Sequence, residues 1–134
     1  MTSLIAIEGI GAKYAEKLAK ARIRSTEALL ERGATARGRK KLAAETSIGH
    51  ELILDWVNRA DLFRVPGIGE EYSDLLEKAG VDTVVELSKR SAENLHARMT
   101  EVNTSKNLVN RMPSVGMVEG WIKAAKSLKR MIEY

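Results

Sequence analysis

The chain repeats itself. Ile7-Glu8-Gly9-Ile10-Gly11-Ala12-Lys13-Tyr14-Ala15-Glu16-Lys17-Leu18 returns 58 positions later as Val65-Pro66-Gly67-Ile68-Gly69-Glu70-Glu71-Tyr72-Ser73-Asp74-Leu75-Leu76. In each copy an apolar residue precedes a Gly-Ile-Gly turn, and a Tyr stands three residues past the second glycine. The register continues, pairing Ala21 with Ala79, Ile23 with Val81 and Leu29 with Leu87. A fold for this chain has to accommodate one pattern used twice, over residues 1–62 and 63–134.

At 134 residues the chain fits one compact domain, or two very small ones sharing an interface. Hydrophobic residues make up 44% and charged residues 30%, ordinary for a folded soluble protein. No apolar run reaches the roughly 18 residues of a membrane span, and Met1-Thr2-Ser3-Leu4 does not begin a signal peptide. Without cysteine, disulfides and thiolate metal sites are excluded, and a cytoplasmic location is the default expectation. The net charge of +4 permits an anionic partner without requiring one. Residues 1–62 hold 11 Lys/Arg against 8 Asp/Glu, and residues 63–134 hold 11 against 10. The densest basic cluster is Arg37-Gly38-Arg39-Lys40-Lys41.

Helical spacing dominates. Leu52, Ile53, Trp56, Val57, Ala60 and Phe63 step by threes and fours, as do Val118, Trp121, Ile122, Ala125, Leu128 and Ile132. Each set predicts an apolar helix stripe anchored by a Trp. Strand signals are poor. Ser25 and Thr83 stand where N-caps are expected, with Glu27 and Glu86 in the turns that follow. Ser47 and Ser114 are turn or cap candidates ahead of the Trp helices. Gly80 is placed to close the helix begun after Gly69, whereas its counterpart Arg22 predicts a differently built end. The extra residues Glu101 to Arg111 read as a loop insertion or a broken helix. Each copy is expected to run short helix, Gly-Ile-Gly turn, helix, short helix, polar helix and long Trp helix. The first Trp helix leads straight into the second turn.

The turn's chemistry is backbone chemistry. Glycines permit positive φ and close approach of a ligand, while Ile10 and Ile68 turn inward to fasten the turn. N–H groups at the start of the following helix point outward, where the helix dipole favours an anion such as phosphate. Lys13 and Lys17 add charge in the first copy. In the second, Glu70, Glu71 and Asp74 complement the helix dipole but repel phosphate. The competing reading makes the turn a tight helix connection, with Tyr14 and Tyr72 as core-rim packing, and the Arg37–Lys41 run a solvated helix face. Catalysis finds little support. His50 and His96 show no ligand spacing, and no Ser-His-Asp or paired-carboxylate arrangement stands out.

This repeat resembles helix-hairpin-helix domains of DNA-repair, recombination and replication proteins. More closely, the chain looks like a bacterial and archaeal family of tandem-hairpin proteins that constitutes a domain of unknown function. The closer likeness rests on Ile7–Gly11, on Trp56-Val57-Asn58-Arg59-Ala60-Asp61-Leu62 running into Val65–Gly69, on Gly80-Val81-Asp82-Thr83-Val84, and on Pro113-Ser114 with Trp121-Ile122. The resemblance implies an all-α chain of two tandem helix-hairpin-helix repeats packed as one compact helical unit, a SAM-domain-like helical bundle. In the broader class the hairpin glycines contact the DNA backbone, a role that falls here on Gly9 and Gly11 and, in the second copy, Gly67 and Gly69. With Ile10, Lys13, Lys17, Arg37, Arg39, Lys40 and Lys41 these form the expected DNA-backbone surface. The glycosylases of the class use a hairpin Lys nucleophile, absent after Gly69, and an Asp farther from the turn than Asp82. The function expected is therefore non-enzymatic, sequence-nonspecific DNA binding, with no cofactor or metal and no membrane association. The alternative is a protein-interaction or scaffolding module without nucleic acid, which the acidic second turn favours.

Overall fold

A computed structural model describes residues 2–134. Among them are eight α-helices: α1 (Ala12–Lys20), α2 (Thr26–Arg32), α3 (Ala36–Thr46), α4 (His50–Leu62), α5 (Glu70–Lys78), α6 (Val84–Ser88), α7 (Ala92–Lys106) and α8 (Val115–Ser127). A 3-10 turn over Leu4–Ala6 precedes them. The described residues form no strand; Ser3 and Ser25 make one isolated antiparallel bridge. No described helix is long and apolar enough to cross a membrane.

The chain divides into two compact units. The first comprises residues up to Asp61 together with Met131–Tyr134, and the second runs from Leu62 to Arg130. In the first, Leu4, Ile7, Ile10, Leu18, Ile23, Leu29, Leu42, Ile53, Trp56 and Val57 are buried. In the second, Leu62, Val65, Ile68, Leu75, Leu76, Leu87, Leu95, Met99, Val118 and Trp121 make a continuous apolar cluster. Leu52 belongs to neither core. It is exposed, one position off the face that Ile53 and Trp56 bury.

The short helices begin where the sequence places them. The Ser25 Oγ accepts from the Ala28 N–H at 3.1 Å and the Thr83 Oγ1 from the Glu86 N–H at 3.2 Å. Thr35 and Ser114 cap α3 and α8 in the same way. Ser47 instead ends α3 in the left-handed region, at φ +59°. Each such cap satisfies an N–H that the helix cannot.

The ends of α1 and α5 correct one expectation. Gly80 has φ +97°, with its N–H on the Glu77 carbonyl and that of Val81 on Leu76. Arg22 adopts φ +67°, its N–H on Ala19 and that of Ile23 on Leu18. Both ends are the same Schellman closure, built with an arginine in one case. Position sets the torsion, although a side chain there costs roughly 1–2 kcal/mol.

The second unit's extra residues are mostly helix. α7 continues to Lys106, and Asn107 stops it at φ +49°. The Asn103 side chain then holds Val109 from both sides, accepting its N–H at 2.9 Å and donating to its carbonyl at 3.1 Å. Ile132 also departs from the expected pattern. α8 ends at Ser127, and Ile132 is buried as part of the first unit.

Candidate nucleic-acid interface

The two Gly-Ile-Gly segments have closely matched backbones. The Ile10 N–H donates to the Ile7 carbonyl at 3.1 Å, and the Ile68 N–H to that of Val65 at 3.1 Å. The third turn residue has φ +96° at Gly9 and +93° at Gly67. This is the pattern of a type II turn, which needs glycine at that position and favours proline before it, as in Pro66-Gly67. A Cβ on Gly9 would stand 3.4 Å from the Trp56 Nε1, and one on Gly67 3.1 Å from the Trp121 Nε1. Each turn thus lies on the indole of its unit's long helix. Tyr14 and Tyr72, half-buried, brace those indoles at centroid distances of 5.0 and 5.2 Å. Ile10 and Ile68 are buried, so only their backbones face outward.

The second glycine of each segment is different. Gly11 and Gly69 have φ −93° and −115°, open to any residue, and a Cβ on either meets nothing within 4 Å. Both are N-caps that offer no side-chain acceptor, so α1 and α5 begin bare, whereas α2, α3, α6 and α8 are capped by hydroxyls. Packing therefore gives no reason for glycine here. Uncapped helix N–H groups favour an anion.

What surrounds each bare N-terminus separates the two. Beside α1's stands exposed Lys13, with exposed Glu8 in the turn itself, and the exposed Lys17 and Lys20 follow in the helix's last turn. Beside α5's stand exposed Glu70 and Glu71, which line a hollow of about 340 Å³ with Gly67, Gly69 and Tyr72. The Tyr72 hydroxyl donates to the Arg111 carbonyl at 3.2 Å. Lys17's counterpart, Leu75, is fully buried in the cluster that holds Leu95 and Met99. Helix α7, against which α5 packs, is four residues longer than α3. The equivalent face of α1 stays open and carries lysine.

Helix α3 divides the Arg37–Lys41 run by its period. Arg37, Lys40 and Lys41 share one exposed face, while Arg39 points inward with Leu42 and Thr46 and is only 2% exposed. The Arg39 guanidinium donates to the Gly33 carbonyl at 2.8 Å and the Glu133 carbonyl at 2.9 Å, and it lies 5.8 Å from the Tyr134 ring centre. Burial pushes its pKa down, opposed by Tyr134. Arg39 is consequently committed inside the first unit and withdrawn from the candidate surface. α1 packs against α3, so the lysines of α1 and the outer cations of α3 belong to neighbouring helices. Among the described residues no ion pair ties down Lys13, Lys17, Arg37, Lys40 or Lys41.

The sequence reading missed a second repeated contact. Arg32 donates to the Ala21 carbonyl at 3.1 Å and bridges to Glu45 at 3.1 Å. Arg90, 58 positions on, donates to the Gly80 carbonyl at 3.5 Å. Each arginine meets the left-handed end of its unit's first helix, and the repeat register was the signal for it. His96 is structural, its Nε2 lying 2.9 Å from the Pro113 carbonyl. Among the described residues no group of three or more His, Asp or Glu is placed to hold a metal.

Residues 8–128 match the model of a family described as a domain of unknown function, DUF4332. The chain belongs to that family. The match takes in both Gly-Ile-Gly turns and both Trp helices, and leaves out the tail that contacts Arg39. No curated protein and no solved structure matches the chain.

Proposed function

We propose that this member of the DUF4332 family is a non-catalytic, sequence-nonspecific DNA-binding protein whose two Gly-Ile-Gly segments are tandem helix-hairpin-helix motifs. The first grips the phosphate backbone, and the second does not. The observation that carries the reading is Gly11. It is an exposed, unstrained glycine that packing does not call for, at the uncapped start of a helix flanked by Lys13 and Lys17. A phosphate there meets backbone N–H groups, the positive end of a helix dipole and the Lys13 ammonium, with Lys17 one turn further along, none of which reads base identity. Arg37, Lys40 and Lys41 extend the surface along the backbone. Gly67 and Gly69 repeat the turn, but Glu70 and Glu71 set a like charge against phosphate, which leaves the second hairpin to structure or to a protein partner.

The test is a titration of the labelled protein with a short DNA duplex, followed by amide NMR. Shifts concentrated at Gly9–Lys13 that vanish in Lys13→Glu/Lys17→Glu support the assignment. Shifts absent from that segment, or unchanged in the double variant, contradict it and favour the protein-interaction reading.

A further inference from the structure

The second unit carries a basic groove of about 290 Å³, lined by Arg90, Ala92, Glu119, Ile122, Lys123 and Lys126. It is absent from the expected DNA surface, and the first unit shows what its counterpart holds. Aligning the units on their hairpin-bound indoles, Trp56 and Trp121, matches Val57 with Ile122 and Asn58 with Lys123. The repeat register matches Arg32, the last residue of α2, with Arg90 in the α6–α7 connection.

In the first unit this place is filled by the non-helical segment Met131–Tyr134. The Glu133 N–H donates to the Ala34 carbonyl at 2.7 Å, and Arg39 donates to the Glu133 carbonyl. The Tyr134 hydroxyl donates to the Asn58 Oδ1 at 3.0 Å, and Ile132 is buried. A short non-helical segment thus docks between the α2–α3 connection and α4 by backbone hydrogen bonds and one aliphatic anchor. The second unit presents the corresponding groove, between the α6–α7 connection and α8, with no such segment seated in it among the described residues.

Its chemistry has also changed. The cap register, Thr35 to Ser91, puts Leu95 where the first unit has the inward Arg39. The cations stand instead at the lining and rim, as Arg90, Lys123 and Lys126 against the single carboxylate of Glu119. We propose that this groove is a docking site for a short extended acidic segment of another protein, seated as Met131–Tyr134 is seated in the first unit. An aliphatic residue of the partner lies against Ile122, its backbone meets the Arg90–Ala92 connection, and its carboxylates face Lys123 and Lys126. Complementary charge of this kind sets partner choice and association rate. The inference is independent of DNA binding by the first hairpin.

The experiment uses the full chain and a fluorescein-labelled peptide, Asp-Glu-Met-Ile-Glu-Tyr-Asp, with its uncharged analogue Asn-Gln-Met-Ile-Gln-Tyr-Asn. Anisotropy should show saturable binding that weakens about tenfold or more for the uncharged analogue and for Lys123→Glu/Lys126→Glu, and tightens for Glu119→Gln. All three replaced side chains are exposed, so circular dichroism should be unchanged. Amide shifts should fall at Arg90–Ala92 and Glu119–Lys126. No saturation at millimolar peptide, or equal affinity for the charge-reversed variant, overturns the proposal. So do shifts at Ala34 and Asn58, which would place the peptide in the first unit, or a DNA duplex occupying Lys123 and Lys126 where the peptide does not.

Discussion

Gly9 and Gly11 stand two residues apart and are glycine for different reasons. Gly9 is held at φ +96° over the Trp56 indole, so Gly9→Ala should cost roughly 1–3 kcal/mol in a urea titration. Gly11 has an ordinary φ and open space around it. Gly11→Ser should add a cap and raise stability by a few tenths of a kcal/mol, yet, on the proposed function, lower DNA affinity by occupying N–H groups offered to phosphate. Unchanged affinity in that variant would take Gly11 out of the interface. Arg22 makes the converse case, since its left-handed torsion could not be inferred from its residue type. Only the register with Gly80 pointed to it, and the preference rules argued the other way. Arg22→Gly is expected to raise stability by up to about 1 kcal/mol, the strain relieved less the entropy glycine loses on folding. Gly80→Ala should lower it by about the same amount, both read from denaturation midpoints.

Helix starts were legible because caps are local chemistry, a hydroxyl three residues before the N–H it accepts. Contacts made across the chain were not. The Arg37–Lys41 run reads as one basic cluster, but the helical period turns Arg39 inward to carbonyls of Gly33 and Glu133, the latter 94 positions away. Arg39→Met should cost about 1–3 kcal/mol by leaving those carbonyls without a donor, while the salt dependence of DNA binding stays as it was. A lowered salt slope in that variant would return Arg39 to the surface. The chain's beginning is fastened by another distant contact. The Glu27 carboxylate accepts the Thr2 N–H at 2.9 and 3.1 Å and the Thr26 hydroxyl at 3.0 Å. The Thr2 N–H is the chief reason its pKa lies below the ordinary value. A depressed carboxylate contributes stability that is fully present above its unfolded pKa, about 4.3, and is lost as pH falls through the folded value. Glu27→Gln should therefore reduce the loss of stability below about pH 4.3, measured by urea denaturation at a series of pH values.

At the scale of the whole molecule, the duplicated sequence signals a duplicated order of elements, and the structure has it, α1 to α4 and then α5 to α8. What the repeat concealed is how far the copies have diverged. Lys17 is exposed where Leu75 is buried, and Lys13 stands where Glu71 does. With Glu70 where Ala12 stands, these differences leave lysine beside the first turn and glutamate beside the second, and on the proposed function only the first turn bears phosphate. The central claim is tested most directly by the anisotropy of a labelled DNA duplex titrated with protein across about 50 to 200 mM salt, a range over which phosphate contacts change affinity strongly. Two or three neutralised phosphates give a log–log slope of about −2 to −3, and Lys13→Glu/Lys17→Glu should abolish the binding. A duplex that does not bind even at the lower salt, or one that binds the double variant with the same slope, would contradict backbone recognition by the first hairpin.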